Sequence, residues 1–375
     1  MNRQRTNRLR TLSLGAVAVS SALLLTACGT DDNTSGGEGG EQTTATEDIA
    51  CEGEGQLLAS GSSAQKNAMD VWIKQYTDAC PARVTYKPTG SGAGIQEFLQ
   101  GKTAFAGSDS ALAEDEVTRS RKTCSSGGQG INLPLVGGPI AVGYNLPDVE
   151  ELVLDAPTLA RIFDGDITRW DDPAIEKLNP DAKLPDLAIQ PFHRSDESGT
   201  TDNFTTYLHT AAPDQWPHEP AKAWPGRGGQ SADGSSGVAS QVKQTEGAIG
   251  YFELSYAQGN DIPTVKLDTG AAEPVEATVA NASNALAAGK IVGQGKDLAM
   301  QLDHTTDAEG AYPLVLVTYE IVCDKGNDPT TLPLTRSFLG YAASEAGQRA
   351  LTQIGYAPMP QEIIAKVRDT LAALS

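Results

Sequence analysis

TGSGAGIQEFLQGKTAFAGSDSAL, residues 89–112, runs from a glycine-rich turn through a helix and a short strand into a second turn of small residues. Ile95, Phe98 and Leu99 have the spacing that places apolar side chains on one face of a helix. The apolar residues 104–106 predict a strand, because a short apolar run between turn residues is typical of one. This alternation of strand, turn and helix indicates an α/β fold.

The same order of elements recurs on both sides of this segment. Residues 56–59, with the sequence QLLA, predict a short strand, and the small residues 60–64 then lead into a helical pattern. Residues 187–192 predict another strand, which leads into HRSDESGT at 193–200 and a further helix. The chain therefore contains several turns that each follow a strand and open a helix.

Three of these turns, around Ser63, Ser91 and Ser198, are built from small residues. The first N–H groups of a helix have no partner within the helix, and the helix dipole makes this end positive. Such an end binds anions, and serine hydroxyls add further donors. Helix capping alone explains any one of these turns. Three of them together with nearby charged residues point to an oxyanion site.

Two charged residues, Arg194 and Asp109, lie in turns that follow predicted strands. The planar guanidinium of Arg194 suits a tetrahedral oxyanion, and Asp196 is placed to hold that guanidinium. The carboxylate of Asp109 repels a fully ionised anion but accepts a hydrogen bond from an anion that still carries a proton. A site that requires this bond rejects an analogue without it by about 10⁴-fold or more. The alternatives are a surface ion pair for Arg194 and a helix cap for Asp109.

The composition limits the classes of protein that remain. The chain has 375 residues and a formal net charge of −20, and this acidity argues against a general nucleic-acid binder. Its length fits two domains or one large domain. The single long apolar run lies at the N-terminus, which excludes a polytopic membrane protein.

The N-terminus is typical of an exported protein. Four arginines and no acidic residue precede an apolar run, so we predict a signal peptide at residues 1–27. The apolar run leads into LTACG at residues 25–29, which resembles a bacterial lipobox. The resemblance implies cleavage before Cys28 and attachment of a lipid to the Cys28 sulfur. An ordinary signal peptide with a chance cysteine is the alternative. Residues 28–50 are acidic and lack aromatic side chains, so we predict a flexible, lipid-anchored tether.

Four further cysteines are present, namely Cys51, Cys80, Cys124 and Cys323. Export to an oxidising space and an even number of cysteines predict two disulfides. Three pairings are possible, and we favour Cys51–Cys80 with Cys124–Cys323. No C-x-x-C spacing occurs, so we do not expect a zinc site.

Four segments carry a resemblance to a known family, and the resemblance covers nearly all of the chain after the tether. They are residues 89–112, IFDGDITRWDDPAIEKLNPDAKLP at 162–185, HRSDESGTTDNFTTYL at 193–208 and TEGAIGYFELSYA at 245–257. Together they resemble the periplasmic phosphate-binding proteins of the phosphate ABC transporter. The resemblance implies that phosphate is bound by Ser63, the backbone of Ala64, Ser91, Asp109, Arg194, Ser198, Gly199 and Thr200. It also implies that Asp196 orients Arg194.

The resemblance implies a two-lobed periplasmic binding protein of type II, with the ligand cleft between the lobes. We expect lobe 1 to comprise residues 51–141 and 313–375, and lobe 2 to comprise residues 142–312. The implied partners are inorganic phosphate and the permease subunits of an ABC transporter. The protein would act as a monomer at the outer face of the cytoplasmic membrane, without a cofactor. One departure is Ser63-Ala64, where the family usually has Thr-Phe, so the backbone donor is retained and an apolar side chain is lost.

Other functions were weighed against phosphate capture. A binder of sulfate or molybdate would use the same kind of site without reading a proton. A secreted phosphatase on the same fold would need a nucleophile or a metal cluster. No G-x-S-x-G elbow, complete P-loop or H-E-x-x-H spacing occurs, so we do not expect an enzyme. A further alternative is a surface sensor that binds phosphate and does not deliver it to a transporter.

Overall fold

A computed structural model describes residues 49–375 of the chain. The predicted signal peptide, Cys28 and the predicted tether up to residue 48 lie outside the described residues. Within residues 49–375, no helix combines the length and the apolar character that a membrane span requires.

Strands and helices alternate along the described residues. The first part of the chain forms β1 (Gly55–Gly61), α1 (Lys66–Ala79), β2 (Ala82–Lys87), α2 (Ser91–Leu99), β3 (Phe105–Ser108), α3 (Glu114–Ser120) and β4 (Gly130–Tyr144). The middle part forms β5 (Val153–Asp155), α4 (Ala156–Phe163), α5 (Pro173–Leu178), β6 (Gln190–Arg194), α6 (Gly199–Ala211), β7 (Gln230–Ala232), α7 (Gly234–Gln244), β8 (Ala248–Glu253) and α8 (Leu254–Asn260). The remainder forms β9 (Lys266–Asp268), α9 (Val279–Ala287), β10 (Lys290–Ile291), β11 (Met300–Gln301), β12 (Val315–Cys323), α10 (Leu332–Ala342), α11 (Glu345–Thr352) and α12 (Gln361–Ala372).

The main sheet has eight strands in the order β2-β1-β3-β12-β4-β8-β6-β7. β4 joins the two halves of this sheet, because residues 130–139 pair with β12 and residues 140–144 pair with β8. The predicted boundary between the lobes at residue 141 therefore falls within one continuous strand. The long apolar strand β12 returns between β3 and β4, as expected for lobe 1. The exact lobe boundaries stay a prediction.

Parallel pairing places the turns of interest at common edges. β1 pairs parallel with β2 and β3 in one half of the sheet, and β6 pairs parallel with β7 and β8 in the other half. In open α/β sheets, ligands bind outside the carboxyl ends of the strands. The turns that follow these strands are therefore the place to look for a site.

The predicted disulfide pairing is confirmed. Cys51 and Cys80 lie with their Cα atoms 5.5 Å apart, and Cys124 and Cys323 with theirs 5.4 Å apart. Both bonds are formed in the structure, and the second joins the end of β12 to the turn after α3.

One strand is shifted relative to its sequence-based prediction. The strand predicted at residues 187–192 is observed as β6, Gln190–Arg194. Leu187 belongs to a turn, since its N–H donates to the carbonyl of Pro185. Arg194 instead continues the strand, because it pairs with Ala232 of β7. This shift places Arg194 at the carboxyl end of a buried strand.

Two glutamates are fully buried in the core. Glu320 on β12 has no hydrogen-bond partner for either carboxyl oxygen among the described residues, and Glu253 at the end of β8 lacks one for Oε1. Burial raises the pKa of each carboxyl to about 8. Both carboxyls are therefore protonated in the folded protein at neutral pH, whereas they ionise in the unfolded chain.

We expect Glu320→Gln to raise the free energy of unfolding at pH 7 by up to about 3 kcal/mol, since the unfolded carboxyl ionises over the roughly 2.5 pH units between 4.5 and 7 and each unit corresponds to about 1.4 kcal/mol. The folded state holds a proton that the unfolded state releases, so stability falls as the pH rises from 4.5 to about 8. The variant has no carboxyl at position 320, so its stability should decrease less than that of the wild type over this pH range. Urea unfolding at several pH values measures it, with the exposed Glu273→Gln as a control for the loss of one charge. An unchanged slope between pH 5 and 8 would contradict the prediction.

Candidate anion-binding site

Four helix N-termini meet at one place in the structure. The helices α1, α2, α6 and α7 follow β1, β2, β6 and β7, and each is preceded by a turn of small residues. The serines at these turns, Ser63, Ser91, Ser198 and Ser235, are all buried. Their burial at the ends of four helices concentrates N–H groups without partners in their own helix, and positive dipole ends, in one region.

Asp109 lies at the centre of this region. Its side chain is only 3% exposed, and it accepts hydrogen bonds from Thr200 Oγ1 at 3.0 Å and from Thr318 Oγ1 at 2.8 Å. Burial raises the pKa of the Asp109 carboxyl, while the hydroxyls of Ser62, Thr318 and Thr200 and the charge of Arg194 act in the opposite direction. Each carboxylate oxygen has two lone pairs, so Asp109 retains capacity to accept another donor.

The Asp109 turn is not a helix cap. The helix that follows, α3, begins after Ala113, and its capping contact is the side chain of Glu116 on the N–H of Ala113. The carboxyl of Asp109 instead bonds hydroxyls from α6 and β12. The capping explanation that the sequence left open for Asp109 is therefore wrong.

Arg194 is held by Asp196 in a bidentate pair. Arg194 Nε and Nη2 donate to the two oxygens of Asp196, the first at 2.7 Å. Asp196 Oδ1 also accepts from the N–H of Gly234 at 3.2 Å. The guanidinium is 1% exposed, so this is a buried pair and not the surface ion pair that the sequence left open. This pair fixes the orientation of the Arg194 guanidinium.

Ser235 connects Arg194 to the first turn. Arg194 Nη1 donates to Ser235 Oγ at 3.3 Å, and the N–H of Ser235 donates to Ser63 Oγ at 3.0 Å. The two serine hydroxyls also lie 3.2 Å apart. Ser63 and Ser235 belong to opposite halves of the sheet, so this contact closes the site from both sides.

Ser91, Gly199 and Thr200 surround Asp109 on its other side. Ser91 Oγ accepts from the N–H of Asp109 at 3.2 Å. A Cβ atom at position 199 would lie 2.6 Å from Ser91 Oγ and 2.7 Å from Asp109 Cβ. Only glycine allows α6 to begin this close to Asp109 and Ser91.

Two predicted contacts have local partners in the structure. Ser198 is the N-cap of α6, and its Oγ accepts from the N–H of Thr201 at 3.2 Å. The N–H of Ala64 donates to Ser62 Oγ at 3.1 Å. A serine hydroxyl that accepts a bond can still donate its proton, so Ser198 remains a possible donor to an anion. The structure thus brings all eight predicted residues to the same region.

Ser235 and Thr318 are site residues that the sequence analysis missed. The signal for Ser235 was present, because Gly234 to Gly237 is another small-residue turn that opens a helix. Thr318 had no such signal, since it lies in the middle of a buried strand and not in a turn that opens a helix. Its role depends on β12 lying beside β3 in the sheet.

The arrangement suits a protonated tetrahedral oxyanion. Hydroxyls, helix N-termini and one guanidinium provide donors, and Asp109 provides a single acceptor.

Comparisons with known proteins agree with this geometry. Residues 39–346 match the model of a PBP superfamily domain. The chain is 41% identical over 363 residues to the phosphate-binding protein PstS3 of Mycobacterium bovis, which covers 96% of this chain and 97% of that protein. The chain belongs to the PstS-type phosphate-binding proteins.

Solved structures show the fold of this family. One is a high-affinity periplasmic phosphate-binding protein with bound phosphate, at a TM-score of 0.68 and 21% identity over 84% of this chain and 93% of that chain. Another is a phosphate ABC transporter substrate-binding protein from Clostridium perfringens, at a TM-score of 0.59 and 20% identity over 81% of this chain and 100% of that chain. The predicted two-lobed, type II fold is confirmed. Both neighbours and the mycobacterial PstS3 are named as binding proteins and not as enzymes.

Proposed function

We propose that this protein binds inorganic phosphate as hydrogen phosphate and delivers it to an ABC transporter for import. The observation that carries the proposal is the buried carboxyl of Asp109 beside the buried guanidinium of Arg194. An anion that only accepts hydrogen bonds would face the lone pairs of Asp109. Hydrogen phosphate has a hydroxyl that donates to Asp109 and further oxygens that accept from the surrounding groups.

The residues proposed to bind phosphate come from both halves of the sheet. They are Ser63, Ala64, Ser91, Asp109, Arg194, Ser198, Gly199 and Thr200. Charge-assisted hydrogen bonds inside a buried site are strong and are screened little by salt. The affinity therefore comes from local groups and not from the net charge, which is negative.

Delivery requires a membrane partner. We propose that a lipid on Cys28 holds the protein at the outer face of the cytoplasmic membrane, and that it meets the transporter permease there as a monomer. The lipobox-like residues 25–28 support the anchor. Labelling with a radioactive or clickable fatty acid tests it, because Cys28→Ala should abolish incorporation and release the protein from the membrane.

Isothermal titration of the purified protein with phosphate tests the proposed function. We expect one site and strong binding at neutral pH, with a large excess of sulfate or molybdate failing to compete. Competition by sulfate at similar concentrations would overturn the role of Asp109 as a reader of the phosphate proton. Absence of phosphate binding would overturn the proposal itself.

We expect Ser235→Ala to weaken phosphate binding by about tenfold, since the loss of one buried hydrogen bond costs about 0.5–1.5 kcal/mol. Ser235 Oγ lies within hydrogen-bond distance of both Arg194 Nη1 and Ser63 Oγ, so its removal loosens groups from both halves of the site. Titration calorimetry measures the change. The exposed neighbour Ser236→Ala is the matched control and should bind as the wild type does. Equal affinity of both variants would remove Ser235 from the site.

A further inference from the structure

Three tyrosine hydroxyls bond the backbone of the turn at residues 62–64, which follows β1. Tyr86 donates its hydroxyl to the carbonyl of Ser62 at 2.8 Å, and Tyr256 donates to the carbonyl of Ser63 at 2.6 Å. The hydroxyl of Tyr356 donates to the carbonyl of Ala64 at 2.5 Å. Three consecutive carbonyls of one turn thus each have a tyrosine partner.

These tyrosines come from three separate parts of the chain. Tyr86 lies on β2, Tyr256 lies in α8, and Tyr356 lies between α11 and α12. Burial raises the pKa of all three hydroxyls, so each keeps its proton and donates at neutral pH. Their convergence on one short turn is a property of the tertiary structure alone.

Two of the tyrosines are themselves positioned by neighbours. Gln65 Nε2 donates to the Tyr86 hydroxyl at 3.0 Å, and Ser255 Oγ donates to the Tyr356 hydroxyl at 3.1 Å. Gly107 leaves room for the first pair, because a Cβ there would lie 1.8 Å from Gln65 Nε2 and 2.5 Å from the Tyr86 hydroxyl. The tyrosine hydroxyls therefore have defined positions from which to bond the turn.

Fixing a carbonyl also fixes the N–H group that follows it. The peptide unit is planar, so the carbonyl of Ser63 and the N–H of Ala64 point in opposite directions. The bond from Tyr256 to Ser63 therefore sets the direction of the Ala64 N–H. In the same way, Tyr86 sets the N–H of Ser63, and Tyr356 sets the N–H of Gln65.

We propose that the hydroxyls of Tyr86, Tyr256 and Tyr356 are positioning groups for phosphate binding, and that Tyr256 acts only when the lobes are closed. The inference rests on the proposed function. Tyr256 belongs to the predicted lobe 2 and the Ser63 turn to the predicted lobe 1, so their bond breaks when the lobes separate. Tyr86 belongs to the predicted lobe 1 and holds the turn in both the open and the closed form. Tyr356 also belongs to lobe 1, but Ser255, which bonds its hydroxyl, belongs to lobe 2, so Tyr356 keeps its bond to the turn and loses this support when the lobes separate.

Tyrosine-to-phenylalanine variants test this, because they remove the hydroxyl and keep the ring. Stopped-flow kinetics with phosphate measures both rate constants. We expect Tyr256→Phe to speed phosphate dissociation by about five- to tenfold and to leave association within twofold, as fits one lost hydrogen bond in the closed form. Tyr86→Phe and Tyr356→Phe should each lower the equilibrium affinity by about fivefold.

Tyr144→Phe is the matched control. Tyr144 is fully buried and donates its hydroxyl to the carbonyl of Val149 at 3.3 Å, and both residues belong to the predicted lobe 2. It should lose thermal stability without phosphate to a similar extent as the other variants, yet bind phosphate within twofold of the wild type. A control that weakens binding as much as Tyr256→Phe would overturn the inference, because the effect would then come from general loss of packing.

The remaining outcomes separate this inference from the proposed function. Wild-type protein that binds no phosphate overturns the proposed function. Wild-type protein that binds phosphate while all three variants bind within twofold of it overturns the positioning role alone. If Tyr256→Phe slows association and leaves dissociation unchanged, the restriction of Tyr256 to the closed form is wrong.

Discussion

Arg194→Ala should weaken phosphate binding by about thirtyfold or more, since truncating one member of a buried, hydrogen-bonded charge pair costs about 2 kcal/mol at least. The guanidinium is 1% exposed and its Nε and Nη2 are held by Asp196. The variant removes the positive charge of the site. It also leaves the Asp196 carboxylate without its partner, which adds repulsion toward an incoming anion.

Calorimetric titration of Arg194→Ala measures this loss. Arg227→Ala is the matched control, because Arg227 also pairs with a buried aspartate, Asp164, but lies outside the site. Arg194→Lys keeps the charge and loses the planar fork, so it should recover only part of the affinity. A loss of less than threefold for Arg194→Ala would remove Arg194 from the phosphate site.

Asp109→Asn should lower the preference for phosphate over sulfate by at least about tenfold, since selectivity that depends on one required hydrogen bond can reach about 10⁴-fold. The carboxyl is held by Thr200 and Thr318 and retains capacity for one more donor. An asparagine amide can turn its NH₂ group toward the anion. It then donates to sulfate, which the wild-type carboxylate repels.

Competition titrations with both anions at neutral pH measure the change in preference. Asp202→Asn is the matched control. Asp202 lies in the first turn of α6 and accepts a hydrogen bond from Ser110 Oγ at 2.6 Å, but it is not among the residues proposed to bind phosphate. The control should keep the wild-type ratio of affinities. An equal loss for phosphate and sulfate in Asp109→Asn would show that Asp109 supports the site without reading the proton.

Much of the site could be predicted because its main groups are local features of the chain. Ser63, Ser91 and Ser198 each stand where a strand ends and a helix begins, and this pattern is visible in one dimension. Parallel pairing then places the ends of neighbouring strands at the same edge of the sheet. The anion-binding character of the turns and their approximate grouping follow from these two facts.

The partners of Asp109 could be predicted only in part. Its place in a turn after a predicted strand was visible in the sequence, yet capping of the following helix was an equal explanation. The structure decides between them because Thr200 and Thr318 reach the carboxyl from α6 and β12. Thr318 is 209 residues away in the chain, and a single threonine in an apolar strand carries no signal of such a contact.

Residues close together in the chain are enough to predict the α/β alternation and the anion-binding chemistry of the turns, and the even number of cysteines after the signal peptide and lipobox predicts two disulfides. The folded protein alone shows which turns face one another, how β4 is shared between β12 and β8, and which hydroxyls hold the turn at residues 62–64. These contacts join residues far apart in the chain and depend on the packing of the whole sheet. Tyr356 is 292 residues from the carbonyl that it binds, and no local pattern encodes that distance.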